Sequence, residues 1–393
     1  MDFSLSEDQK LFRENIVRFA RDELNGGAME RDRDAAFSRD LWRRCGEMGL
    51  CGLPVAEEYG GLGLDPLSTA LALEALGYGC TDGGLVFAIG AHLLSAVVPL
   101  WLFGSDEQKK KYLPAIASGD HIWTQLFSEP NAGSDLASLE MRARRDGDVY
   151  VVDGQKVWST WAQWADYGYL LARTDADAEK HQGITAFILD MKSPGVEVRP
   201  LREMTGTSDF NEVFFEGVRV PAKNVIGNPG EGWRVATYSL VNERSTVGGG
   251  GGGGSGEAVR ELITLARSLG RSGEASVRQE IGRFIAASRI QKALAYKSAT
   301  RAARGEANVW EAPLSKIFFS ELNLAIDEFA LGLQGPCSVL VEEDPLAMED
   351  GRWQDRFLYA RAWTIAGGSN EILRNMIAER GLGLPREPTR DKG

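Results

Sequence analysis

Residues 144–158 read RRDGDVYVVDGQKVW, and here the texture of the chain changes from helical to extended. The stretch predicts a turn at Asp146-Gly147, a strand over Val149–Val152, a hairpin turn at Asp153-Gly154 and then a second strand. The runs that follow, GYLLART, GITAFILDM, GVEVRPL and NEVFFEGVRVP, are short and β-rich, and Gly, Pro and Asp separate them. Together they predict a compact β module of about a hundred residues, of barrel or sandwich type.

Both flanks of this module read as helix. LSEDQKLFRENIVRFARDEL places Leu11, Phe12, Ile16 and Phe19 on one face, with Ser6 as N-cap and Gln9 three residues on. PLSTALALEALGYG and GAHLLSAVVPLWLFG are apolar enough to run through an interior. After Pro229-Gly230 the helical period returns and persists to about Leu382. The expected architecture is mostly α with an inserted β domain: an N-terminal helical domain over 1–120, a middle β domain over 121–231, a C-terminal four-helix bundle over 232–384, and a disordered tail over 385–393.

Bulk properties exclude several functions. At 393 residues the chain is long enough for two or three cored domains. A formal charge of −12 argues against nucleic acid as the main partner. The apolar run Leu93–Phe103 is too short to cross a bilayer, and MDFSLSEDQKLFREN is too charged for a secretory leader. A cytoplasmic enzyme is expected, with no membrane insertion. Cys45, Cys51, Cys80 and Cys337 form no CxxC pair and read as buried free thiols. His92, His121 and His181 are scattered, so no metal site is expected. Catalysis then rests on carboxylates, arginines and an organic cofactor.

Five segments occur in order: LFSEPNAGSD (126–135), GQKVWSTWAQWAD (154–166), VRVPAKNVIG (218–227), LSKIFFSE (314–321) and AGGSNEILRN (366–375). On this helix–sheet–helix layout the chain resembles the acyl-CoA dehydrogenase family over essentially its whole length. The resemblance implies FAD as cofactor and an acyl-CoA as substrate. It sets Phe127 and Ser128 along the flavin, with Gly133 in the same polar loop and Ser134 facing cofactor and thioester. Trp158 and Thr160 match the pair that packs and hydrogen-bonds the flavin ring. Ser369, Asn370 and Glu371 match positions touching the adenosine part of FAD, while Ser369 or Asn370 also reads as a helix N-cap.

The base is not where many relatives keep it. Their glutamate precedes the glycine that matches Gly368, and this chain has Gly367 there. The resemblance to isovaleryl-type and long-chain-type relatives moves the role to Glu243, with Arg244 and Gly368 near the substrate and the Gly367 N–H and a flavin ribityl hydroxyl donating to the thioester carbonyl. Burial beside flavin and acyl chain should raise a glutamate pKa from about 4.3 toward working pH. One turn later comes the run Gly248–Gly254. As a helix it costs roughly 6–7 kcal/mol relative to alanine. A wall without side chains leaves room for a branched, ring-bearing or steroid-like acyl group; close packing against a neighbouring helix is the alternative.

The implied reaction is α,β-dehydrogenation: Glu243 takes the α-proton, the β-hydrogen leaves as hydride to flavin N5, and an electron-transfer flavoprotein accepts the electrons. Two alternatives stay open: a noncatalytic subunit of a mixed assembly, and an oxidase or flavin-dependent hydroxylase of the same fold. The assembly is expected as a homodimer, a homotetramer or a mixed heterotetramer. Three places depart from the family pattern. The arginine that reaches the neighbouring subunit's FAD falls on neither Arg267 nor Arg271 securely, Gly332 occupies a usually polar position, and Trp161 replaces a common asparagine.

Overall fold

The computed structural model describes residues 4–248, 254–342 and 344–386, with the side chains of 94–96, 242–243, 245–248 and 254 outside that set. The chain forms two compact units, residues 1–246 and 247–393. No helix among the described residues is long and apolar enough to cross a membrane.

The first unit opens with seven α-helices: α1 (Glu7–Phe19), α2 (Ala28–Arg33), α3 (Arg39–Glu47), α4 (Pro66–Gly79), α5 (Gly83–Ala91), α6 (Val98–Phe103) and α7 (Asp106–Ala117). Ser6 caps α1 in a reciprocal capping box with Gln9, as its spacing predicts. Ile16 is fully buried and Phe12 and Phe19 pack on the core. Leu11, expected on the same face, is 59% exposed. At 100° per residue it lies off the stripe that Phe12, Ile16, Phe19 and Ala20 define.

Eight strands then form one sheet: β1 (Trp123–Leu126), β2 (Arg142–Asp146), β3 (Val149–Thr160), β4 (Tyr167–Arg173), β5 (Ile184–Asp190), β6 (Val196–Leu201), β7 (Phe210–Pro221) and β8 (Val225–Ile226). Their order is β6-β7-β3-β2-β4-β5-β8, with β1 parallel to β4. β4 and β5 are buried on both faces, which is why they read as continuous apolar runs instead of alternating. Buried His92 accepts from the Trp123 N–H at 3.1 Å where β1 begins, and burial pushes its pKa down to about 4.

The β2–β3 hairpin turns at Gly147-Asp148, where Gly147 supplies φ 63°. The expected second turn at Asp153-Gly154 is corrected: β3 runs straight through it. The register with β7 shifts between Val152 and Gly154, and Gly154 takes φ 143° in a bulge. The Asp153 carboxylate accepts from the Gly217 N–H at 2.7 Å, so an Asp-Gly pair that could turn a chain instead fastens two long strands.

α8 (Gly232–Gly248) follows the sheet, and the second unit holds α9 (Gly254–Ser268), α10 (Ala275–Ala303), α11 (Glu311–Gln334), α12 (Arg352–Ile365) and α13 (Asn370–Met376). Val259, Leu262, Phe284, Ile326, Ala330 and Trp353 form its core, at the three- and four-residue spacings of packed helix faces. This gives the N-terminal helices, middle β-sheet and C-terminal helices expected. Gly248 ends α8 and Gly254 opens α9, but 249–253, the middle of the glycine run, lie outside the described residues. So does the expected tail from 387 onward. Cys45, Cys51 and Cys80 are buried free thiols, whereas Cys337 is only half-buried because it follows the end of α11 in a surface turn. Burial pushes Cys45 up to about 12 and Cys80 up to about 11, so neither is a nucleophile near neutrality.

Candidate active site

β3 slips register with β7 a second time, between Lys156 and Ser159. Trp158 sits in that slip with φ 60°, a conformation that bulky side chains avoid. The slip turns the Val157 N–H to the Ser128 carbonyl at 2.9 Å, joining the two predicted segments. It also leaves the Trp158 ring 60% exposed and edge-on to Phe210 at 6.0 Å. Trp161 repeats the left-handed backbone at φ 49°, and its ring meets Phe87 edge-on at 5.6 Å. Among residues with a side chain asparagine is one that tolerates that conformation, which is consistent with the residue that Trp161 replaces.

The loop after β1 is pinned from beneath. Lys156, fully buried on β3, donates to the Phe127 carbonyl at 2.9 Å and to Glu129 at 2.8 Å. The Glu129 carboxylate also accepts from the Glu140 and Met141 N–H groups at 2.6 and 3.0 Å. One buried carboxylate thus closes both ends of the loop that carries Ser128, Gly133 and Ser134. Burial pushes the Lys156 ammonium down to about 8, against the opposing pull of Glu129. Above this anchor Phe127 is buried, Ser128 and Thr160 are half-buried, and Gly133 and Ser134 are exposed. An added side-chain carbon at Gly133 would meet nothing within 4 Å. The loop and the end of β3 thus bring an exposed aromatic ring, hydroxyl groups and an open glycine turn, residue types that suit an isoalloxazine. Lys156 and Glu129 lie within the segments 154–166 and 126–135, where neither residue by itself predicts this pairing. The available signal was a lysine inside a strand otherwise reading as buried.

α8 meets the sheet at β5 and β1. The Gly232 backbone lies against residues 184–186 of β5, and Val235 and Ala236 are buried. Gln125 of β1 donates to the buried Ser239 hydroxyl at 2.9 Å. Position 243 is one turn beyond Ser239 on the same stripe of α8. The Glu243 side chain itself lies outside the described residues. Arg244, its neighbour, is buried.

In the second unit the remaining candidates form one turn between two helices. α12 closes with the Ala366 N–H on the Ala362 carbonyl. Gly367 and Gly368 follow with φ 66° and 96°, and Ser369 caps α13 through the Ile372 N–H. Asn370 is buried: its amide donates to Ser320 and Glu321 at 3.0 and 3.3 Å. Glu371 is exposed, and hydrogen bonds from its own backbone N–H and from Ser369 hold its carboxyl below the usual range. Arg271 is engaged by Glu274 at 2.8 Å and by the Leu333 carbonyl at 3.2 Å, holding the α9–α10 turn, while Gly332 is exposed on α11.

No group of three or more His, Cys, Asp or Glu side chains among the described residues could hold a metal ion. The chain matches three family models, described as Acyl-CoA dehydrogenase N-terminal, middle and C-terminal domains, over residues 6–120, 124–218 and 230–382. It is 34% identical to acyl-CoA dehydrogenase IpdE1 of Mycobacterium tuberculosis over 394 residues, covering 97% of this chain and 99% of that one. The structure titled "Tcur3481-Tcur3483 steroid ACAD" superposes with a TM-score of 0.88 at 29% identity, over 98% of this chain and 100% of that one. The ChsE4-ChsE5 complex from Mycobacterium tuberculosis gives 0.87 at 28% identity, over 98% and 100%.

Proposed function

The chain belongs to the acyl-CoA dehydrogenase family, an FAD-dependent family, and from that membership we propose that it dehydrogenates a bulky acyl-CoA across Cα and Cβ with Glu243 as base. The observation that carries this reading is the seat of α8. Ser239, one turn before position 243, is tied to Gln125, and Phe127 and Ser128 follow on the same strand and loop. When bound, FAD supplies the hydride acceptor at N5. Trp158 and Thr160 would flank its ring, Phe127, Ser128, Gly133 and Ser134 its edge, and Ser369, Asn370 and Glu371 its adenosine end. Glu243 would hold the departing α-proton, and the Gly367 N–H would polarise the thioester carbonyl, lowering the cost of the charge that develops there. Arg244, Ser134 and Gly368 would complete the substrate's surroundings.

Two observations support a bulky acyl group: the side-chain-free run Gly248–Gly254, and a structural neighbour whose title names a steroid substrate class. The ChsE4-ChsE5 neighbour is a complex of two chains, so a mixed heterotetramer stands beside a homo-oligomer as the proposed assembly. An electron-transfer flavoprotein is the proposed acceptor, the cytoplasm the proposed compartment, and 1–120, 121–231 and 232–384 the proposed domains.

The test is anaerobic flavin bleaching by the purified chain, comparing straight-chain, branched and steroid-bearing acyl-CoAs. Near-stoichiometric FAD bleached fastest by the bulky thioesters is expected, with Gly249→Leu and Gly252→Leu shifting preference toward straight chains. An unchanged preference would remove the wide-pocket idea. A folded protein with little flavin would point to a partner subunit, and rapid reoxidation by oxygen to an oxidase.

A further inference from the structure

Ser320 and Glu321 of the segment LSKIFFSE, residues 314–321, accept from Asn370, and Lys316 lies one turn before Ser320. That lysine is fully buried on α11, among the largest side chains wholly removed from solvent. The Lys316 ammonium donates to the Gly368 carbonyl at 3.0 Å and to the Asn370 side-chain oxygen at 2.9 Å. Burying an ammonium costs several kcal/mol unless oxygens replace its water. A methionine would fill the same length of helix without that cost, so the charge is retained for what it holds.

What it holds is a turn with little stiffness of its own. Gly367 and Gly368 are both left-handed, a conformation that glycine enters and leaves freely. One end is fixed by the Ala366 N–H on Ala362, the other by Lys316 on Gly368. Asn370, which Lys316 also holds, is the first residue of α13. Both ends of the turn that carries the Gly367 N–H are therefore tied.

We propose that Lys316 is a positioning residue for the thioester site: its ammonium holds the Gly367–Gly368 turn in the geometry that aims the Gly367 N–H at the substrate carbonyl. The proposal rests on the reading of Gly367 as carbonyl donor given above. Lys316 does not touch the substrate. It acts by removing the reorganisation that a free glycine pair would need as charge builds on the carbonyl oxygen.

Acetoacetyl-CoA tests this, because its small acyl group makes few demands on pocket width and its enolate, once bound, adds a long-wavelength band to the oxidised flavin spectrum. The FAD-loaded wild type, Lys316→Met, Lys316→Gln and Gly367→Ala are titrated with it across pH, reading the apparent enolisation pKa separately from the dissociation constant. Lys316→Met should raise that pKa by about one unit, a tenfold loss of enolate stabilisation, with a smaller change in affinity and with FAD retained. A merely structural lysine would weaken flavin binding or stability and leave the pKa of the bound thioester in place. An enolisation pKa equal to wild type in Lys316→Met overturns the proposal. Should that variant shed its flavin, it is titrated at saturating FAD and judged by the same criterion, while Lys316→Gln, neutral but still a donor, should fall between it and wild type. A wild-type holoprotein without the band removes the underlying reading of Gly367 and with it the proposal; Gly367→Ala keeps the N–H but strains a backbone at φ 66°, and should raise the enolisation pKa as Lys316→Met does.

Discussion

A tryptophan with φ 60° and a mostly exposed ring contributes little to packing and costs backbone strain. Strain of this kind amounts to about 1–3 kcal/mol and persists where the surroundings enforce it for use. Trp158→Asn should therefore leave the flavin-free protein as stable as wild type or more so, because asparagine tolerates the left-handed backbone. The same change should weaken FAD binding about fivefold, the loss of one aromatic face being worth on the order of 1 kcal/mol. Thermal melts of the flavin-free protein and FAD titrations measure the two effects separately. A variant that loses stability but keeps its flavin would make Trp158 a core residue. The identity of Trp158 was legible from its segment, but its backbone was not. Positive φ at a non-glycine residue comes from the β3–β7 slip and from the loop bond to Ser128, neither of which has a local signature.

At the scale of elements, two buried lysines do similar work. Lys156 on β3 fastens the loop after β1, and Lys316 on α11 fastens the turn before α13. Removing one partner of a buried pair leaves the other uncompensated, typically at 3–5 kcal/mol. Lys156→Met and Glu129→Gln should each destabilise the first unit on that order, and the double variant should cost clearly less than their sum. Urea denaturation followed by tryptophan fluorescence would show it; additive losses would mean that the two side chains act independently. Helices and their caps were readable in advance because Ser6 and Gln9 act on their own neighbours. The Asp153-Gly154 turn was misread because the same dipeptide serves a bulge when β7 runs alongside, and a tertiary partner made that choice. Lysine partners tens of residues away are equally invisible to periodicity.

The whole molecule is a sheet unit and a helical unit, each carrying one cluster of the residues that the family resemblance singles out. The order of helices, strands and helices was legible because hydrophobic period switches twice along the chain. Glu243 is proposed through resemblance alone, since one glutamate before a glycine run has no distinguishing chemistry. It is also the residue on which the functional account stands. The most direct measurement is anaerobic stopped-flow reduction of bound flavin by a steroid-bearing acyl-CoA, in wild type and in Glu243→Gln. A general base contributes about 10²–10⁴-fold. A loss of that size in the reduction rate is expected, with FAD content and acyl-CoA affinity close to wild type. Reduction at the wild-type rate in Glu243→Gln would contradict it and place the base elsewhere in the chain.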